Sequence, residues 1–488
     1  MARVRIEQGI VEGSEMSGVH AFLGMPYAAA PIGDRRWQPP QPPDAWEGVR
    51  DATHFGPACL QKGGASFDLR VQEQSEDCLF LNVWTSTLDS QAQHPVMVWI
   101  HGGGNLGGAG SEDAFDGAHL ARQGVTVVTF NYRLGAFGFL AHKSIGANFA
   151  VLDQVAALSW VASNIAAFGG DPDNVTVMGE SAGAMSIGAL LGMPAAQGLF
   201  RRAILQSGGA SNLVTRPRAT QVAQALLAKL GLETSQLAAL ADVPLEALLK
   251  IQPELGREFG GILAYSPMID GETLPQHPSA MIAQGSAANV AILAGTNRDE
   301  WRLFAMMSGG PKVDEEQLTR IFGDEARPAL AVYTEARTDQ SPELAWIDIM
   351  SDLVFRMPAI RLAEAQVKLG APVWMYRFDW ESPAFGGVLG AAHAMDIPFV
   401  FNTLDVGLSR TFTGDSPTRQ PLADLMHASW AAFIRSGTPA IADLPAWPPY
   451  DLDRRATMIF GDVAHVVDDP QGQVRAVWKH VLQERDNH

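Results

Sequence analysis

The residues with the clearest chemical meaning are Gly179-Glu180-Ser181-Ala182-Gly183. A short β-branched run, Asn174 to Met178, precedes them, and a small apolar run at helical spacing, Ala184 to Leu191, follows. A serine between a strand and a helix sits on a sharp turn, and a glycine two residues to either side lets the backbone pass close to its neighbours. Its hydroxyl is then presented above a sheet edge as a nucleophile. The pentapeptide alone is a weak sign in a chain with 48 glycines. The flanking strand and helix give it weight.

A nucleophilic serine needs partners, and the chain holds candidates for each. Val96 to Ile100 reads as a buried strand that runs into His101-Gly102-Gly103-Gly104. Attack on an ester carbonyl places negative charge on its oxygen, and preorganised backbone N–H groups stabilise that charge by several kcal/mol. Consecutive glycines suit the task because no Cβ blocks the substrate, and the amide after the nucleophile, on Ala182, supplies a further donor. Among twelve histidines, His393 stands in a small-residue loop after the apolar strand Val373 to Phe378 and before Ile397-Pro398-Phe399-Val400-Phe401. An unperturbed histidine base would make the rate fall as pH drops through about 6–7. Another buried strand, Ala291 to Gly295, ends in Thr296-Asn297-Arg298-Asp299-Glu300. Acids at the carboxyl end of such a strand are candidates to orient the base. Spacing and chemistry leave Asp299 and Glu300 both open.

Longer motifs fill the spaces between these residues. They include Phe22-Leu23-Gly24-Met25-Pro26-Tyr27-Ala28, Ser75 to Trp84, Asn131-Tyr132-Arg133-Leu134-Gly135, Phe168 to Pro172, Gln206-Ser207-Gly208 and His393 to Phe401. With the serine pentapeptide they give the chain a nearly end-to-end resemblance to type-B carboxylesterases, the group of cholinesterases, liver carboxylesterases and bacterial p-nitrobenzyl esterases. The resemblance implies an α/β-hydrolase fold: a central, mostly parallel, twisted sheet flanked by helices, with helical insertions around an active-site gorge. It assigns the acid to Glu300 and the triad to Ser181, Glu300 and His393. It gives Gly103, Gly104 and Ala182 as oxyanion donors, Ser207 as a hydroxyl supporting the acid, and Glu180 as a second supporting residue. Ion pairs Arg36–Glu76 and Arg133–Asp153 are implied as well. In the family the cysteines matching Cys59 and Cys78 form a disulfide; a reducing cytoplasm can keep such thiols free, so their proximity is what is expected.

The departures from the family fall around the substrate. Asn105 and Leu106 follow the oxyanion glycines where an aromatic residue is usual, and Trp301 follows Glu300 where glycine is usual. Asn148 to Gln154 lacks the usual glycine. Asn105, Leu106 and Trp301 are therefore expected in the substrate pocket. The loop Leu60 to Asp77 contains no tryptophan, and Phe67 is its only aromatic residue. No cation–π platform for a choline ester is expected there.

Strand-bearing motifs run from about residue 20 to about 465 without a Pro/Ser-rich linker, so one domain over 1–488 is expected, with helical insertions at about 212–255 and 314–369 and a break or kink at Pro358. The formal charge of −18 argues against nucleic acid or an anionic membrane as partner. No run reaches 18 uninterrupted apolar residues, and no secretory h-region opens the chain, so the expected placement is a bacterial cytoplasm. Two cysteines and no His-Glu-x-x-His run give metal catalysis no support, and no cofactor is required. The expectation is a serine ester hydrolase, monomeric or a small homo-oligomer, acting on small neutral short- or medium-chain or aromatic esters. An amide or carbamate hydrolase or an acyltransferase could use the same triad, and a non-catalytic adhesion or scaffold protein could share the fold.

Overall fold

Alternation along the strands decides the architecture. Successive side chains of a strand point to opposite faces, and here both faces are apolar. Val96, Val98 and Ile100 enter one core while Met97 and Trp99 enter another. The same division separates Ala203 and Leu205 from Ile204, Ile292 and Ala294 from Leu293, and Val373 and Met375 from Trp374 and Tyr376. A sheet apolar on both faces has to be covered on both, which is the signature of parallel strands under helices.

The computed structural model describes residues 1–62, 73–233, 239–240, 242–259 and 264–485. Its central sheet has 13 strands. From one edge the order is Ala2–Ile6, Gly9–Met16, Val19–Pro26, Phe80–Thr85, Thr126–Phe130, His94–Ile100, Gly170–Glu180, Arg202–Gln206, Ala291–Asn297, Val373–Phe378, Ala456–Phe460 and His465–Asp468. Val49–Asp51 pairs beside Gly9–Met16. From Thr126–Phe130 through Ala456–Phe460 every pairing is parallel. The pairings of the two outer regions are antiparallel, apart from the parallel pair of Val49–Asp51 with Gly9–Met16. This is the mostly parallel α/β-hydrolase sheet that the resemblance implied.

His94–Ile100 lies between the strand that follows it in the chain and the next one, Gly170–Glu180. Strand order therefore reverses there. In open α/β sheets ligands bind in the crevice beyond the carboxyl ends at such a reversal. Helices Phe149–Asn164 and Ala182–Leu190 pack on one side of Gly170–Glu180, and helix Arg419–Ser436 packs against the same strand. With its 3₁₀ extension, Phe149–Phe168 is long and apolar enough to cross a membrane; most of it is buried in the core.

Helices Arg216–Lys229 and Leu245–Glu258 fall in the first expected insertion, which is described only in part. Four helices between Glu315 and Lys368 fall in the second. The expected break at Pro358 is displaced. Pro358 occupies the first turn of helix Met357–Lys368, where a missing N–H costs nothing. A π-helical stretch, Asp352–Arg356, absorbs the irregularity just before it.

Arg133 grips Asp153 with two bonds, Nε to Oδ2 at 2.8 Å and Nη2 to Oδ1 at 2.7 Å, and both residues are buried. Arg36 grips Glu76 in the same forked way at 2.6 and 2.7 Å. Cys59 and Cys78 are joined in a disulfide with their Cα atoms 5.0 Å apart. Phe67 lies outside the described residues.

Candidate active site

Ser181 follows the last residue of Gly170–Glu180 and precedes helix Ala182–Leu190. Its φ of 54° and ψ of −122° form a strained turn that few non-glycine residues adopt. The flanking glycines have a direct cause: a Cβ on Gly179 or on Gly183 would strike the carbonyl oxygen of Ile100. The strand carrying Gly103 and Gly104 thus presses against the serine turn. Both glycines have positive φ, 99° and 63°. Among the described residues nothing accepts from the N–H groups of Gly103, Gly104 or Ala182. Their loop is held from outside. The Gln61 amide pairs with Gly108 as a strand would, Gly108 N to Oε1 at 2.9 Å and Nε2 to Gly108 O at 3.0 Å.

His393 and Glu300 meet in the protein interior. His393 Nδ1 is 2.5 Å from Glu300 Oε2, and Glu300 Oε1 accepts from Asn297 N at 2.7 Å. Glu300 has no exposed surface and His393 is 4% exposed. Asp299, left open by spacing, turns the other way. Its carboxylate takes Arg298 Nη2 at 2.8 Å and Ala391 N at 3.0 Å, and faces Arg302 at 3.6 Å. Burial works against its charge, but the two arginines and the Ala391 amide outweigh that and hold the carboxyl below its usual range.

Ser207 Oγ is buried and makes no hydrogen bond among the described residues, so it does not brace the acid; the Asn297 backbone does. Glu180 lies at the other ring nitrogen, its Oε1 3.1 Å from His393 Nε2. No hydrogen bond joins Ser181 to the imidazole among the described residues. Burial would push His393 down, but Glu180 and Glu300 together raise it to about 9. Burial in turn raises Glu180 to about 8, against the pull of His393. With carboxylates on both ring nitrogens, the imidazole and Glu180 titrate as a unit.

The departures from the family lead to different places. Asn105 is 3% exposed, and its Nδ2 donates to Tyr265 O at 2.7 Å, so the amide ties two segments together. Its φ of 59° is one that asparagine tolerates better than an aromatic residue. Asn148 also has positive φ, and it reaches the same segment through Met268 N and O, both at 2.8 Å. Leu106 is half-buried against the core. Trp301 is half-buried too, and its ring lies 4.8 Å from Phe304 and 6.4 Å from Phe355. Those two rings are the ones beside His393, at 5.1 and 4.6 Å.

Phe304, Phe355, Asn297 and Gln61 were not singled out from the sequence. Phe304 was within reach, because a residue four after Glu300 shares its helix face. Phe355 was not, because a π-helical stretch sets its direction.

The chain as a whole has relatives among known proteins. The carboxylesterase family model matches residues 1–473. A para-nitrobenzyl esterase of Bacillus subtilis is 42% identical, with 97% of each chain covered. A fumonisin B1 esterase of Sphingopyxis macrogoltabida is 37% identical over 93% of this chain and 85% of its own. Among solved structures, a Geobacillus stearothermophilus carboxylesterase superposes with a TM-score of 0.89 at 41% identity, covering 98% of this chain and all of its own. The chain belongs to the carboxylesterase family and is a carboxylic-ester hydrolase.

Proposed function

We propose that Ser181, His393 and Glu300 form the catalytic triad of this esterase, with Gly103, Gly104 and Ala182 as the oxyanion hole. One observation carries the reading: a buried Glu300–His393 pair lies beside a strained serine turn whose neighbouring backbone N–H groups have no partner among the described residues. Substrate entry draws His393 Nε2 from Glu180 to Ser181 Oγ, a contact that free enzymes often leave loose. Oγ then bonds to the ester carbon and its proton passes to Nε2. Charge moves to the carbonyl oxygen, where the three N–H groups receive it. Collapse breaks the bond to the alcohol oxygen, which leaves with the His393 proton. Water repeats the sequence and frees the acid, returning the proton to Ser181. Glu300 holds the ring tautomer and the imidazolium charge throughout.

The substrates are small neutral esters of short or medium acyl chain, or aromatic esters. The half-exposed ring of Phe304 beside His393, with that of Trp301 behind it, supports that range. A fluorophosphonate probe tests the nucleophile. One equivalent should attach to Ser181, found by peptide mass, as p-nitrophenyl butyrate turnover disappears. Labelling of a Ser181→Ala protein at the same rate would overturn the assignment. Partition of the acyl group to added alcohol, and turnover of matched amides and carbamates, separates hydrolase from acyltransferase.

A further inference from the structure

We propose that Asn297 is a positioning residue that fixes the distance between the acid and the base by tying their two loops together; the inference rests on the triad reading above. Ser181 and Glu300 each sit at or within a few residues of the end of a sheet strand. His393 does not. It lies fifteen residues beyond Phe378, in an irregular loop that meets the acid side through a single isolated parallel bridge, Ala392 to Asp299. Something else must hold it.

Besides the Glu300–His393 bond itself, several hydrogen bonds cross from the acid loop to the histidine loop. Asp299 N donates to Ala391 O at 2.9 Å, Ala391 N donates to Asp299 Oδ2 at 3.0 Å, and Asn297 Nδ2 donates to Ala392 O at 2.7 Å. The last grips the carbonyl just before His393. Asn297 also acts on the acid, since its backbone N–H holds Glu300 Oε1 at 2.7 Å. Its second amide hydrogen faces Asp396 Oδ1 at 3.4 Å, three residues past the base. Asp396 is itself fixed by Gln206 Nε2 at 2.8 Å and by the Tyr376 hydroxyl at 2.9 Å.

One residue, 2% exposed, therefore touches the acid, the residue before the base and the anchor after it. A side-chain substitution leaves the backbone bond to Glu300 intact and cuts the histidine side alone. Misplacing a catalytic group by about 1 Å costs up to about a hundredfold in rate.

The test compares Asn297→Leu, which keeps the γ-branched shape without a donor, and Asn297→Asp, which sets an oxygen against Ala392 O and Asp396. Asn297→Ser keeps one short donor and covers the case in which the leucine protein fails to fold. Each should lower kcat about 10- to 100-fold, with serine mildest, while KM changes less than about threefold. The rate of fluorophosphonate labelling should fall in step with kcat. The downfield proton resonance of the His393–Glu300 hydrogen bond should shift or broaden, with near-ultraviolet circular dichroism unchanged. A purely structural asparagine would move the melting temperature and leave that resonance and the labelling rate of folded protein alone. If the folded variants keep kcat within twofold while His393→Ala is inactive, the proposal is overturned and the triad stands. If His393→Ala still turns over, the triad reading falls as well.

Discussion

The two sides of the active site are built by different means. On one side, Gly103, Ser181 and Glu300 each lie within three residues of the end of a sheet strand, and backbone geometry aims them. On the other, the walls come from helices and segments far apart in the chain. Asn105 reaches Tyr265 across 160 residues, and the Trp301–Phe304–Phe355 rings join a helix start to a π-helical stretch. The first kind of placement is fixed by local sterics, the second by side-chain packing among insertions. Chemistry should therefore be brittle to substitution, and selectivity plastic.

The brittle side gives the largest effects. Ser181→Ala and His393→Ala should each lower kcat for p-nitrophenyl butyrate by roughly 10⁴-fold or more, with unchanged circular dichroism. The double variant should lose little beyond either single one, because the triad acts as a unit. A residual rate above about a hundredth of the original in either single variant would break the comparison at its foundation.

Next comes the choice between adjacent carboxylates. Glu300→Gln should cost on the order of 10³–10⁴ in kcat, because an amide in that place favours the wrong tautomer of His393. Asp299→Asn should stay within about tenfold, since an amide oxygen can still accept from Ala391 N while only the pairing with Arg298 and Arg302 weakens. Steady-state kinetics on the two variants decides it. The reverse ranking would mean that the wrong acid orients the base.

The pH profile sharpens the same side. A base must be neutral to accept the serine proton, so a raised pKa makes the rate fall as pH drops below that value. With Glu180 and Glu300 holding His393 at about 9, kcat/KM should climb through the alkaline range, above the 6–7 expected of an unperturbed histidine. Glu180→Gln removes one of the two carboxylates and should move that limb toward acid. Each unit of displacement means roughly a tenfold gain at neutral pH. An unmoved limb would show that Glu180 does not set the proton affinity of His393 in the free enzyme.

This division also governs what could be read in the sequence. The serine elbow was legible because it sits in a contiguous motif whose residue types follow from backbone needs; both ion pairs and the cysteine pair join residues 19 to 40 positions apart and were expected only through family resemblance. Gly179 and Gly183 are glycines because Ile100 O leaves no room for a Cβ. Glu300 became distinguishable from Asp299 only through family resemblance; in space the two carboxylates face different partners, which spacing along a chain cannot express. Ser207 was expected to brace the acid, but its hydroxyl makes no hydrogen bond among the described residues, while the Asn297 backbone N–H holds Glu300 Oε1. Asn105 and Trp301 were rightly marked as departures, but their contacts at Tyr265 and Phe355 depend on how insertions dock. No local period encodes that.

The plastic side gives the smallest and most selective effect. Trp301 stands behind Phe304 and Phe355, the two rings against His393, and does not itself contact the imidazole. Aromatic pairs of this kind contribute about 0.5–1.5 kcal/mol beyond their buried area, which is roughly a two- to twelvefold change in a rate or binding constant. Trp301→Gly, the residue usual in the family, should therefore change kcat/KM for a short ester such as p-nitrophenyl acetate by less than about threefold. For bulky aromatic alcohols it should change kcat/KM by roughly five- to tenfold, upward if the ring blocks the alcohol and downward if it cradles it. The same pair of proteins tests cation recognition. Butyrylcholine and its neutral isostere 3,3-dimethylbutyl butyrate should be cleaved with similar kcat/KM by the unaltered enzyme. Net charge of −18 draws cations at long range, but that attraction is screened at 1 M salt, where the Debye length is about 3 Å. An advantage for the cation that survives high salt and vanishes in Trp301→Gly would make this ring a cation–π platform. Selectivity would then rest on one side chain, contrary to a wall whose rings share the load.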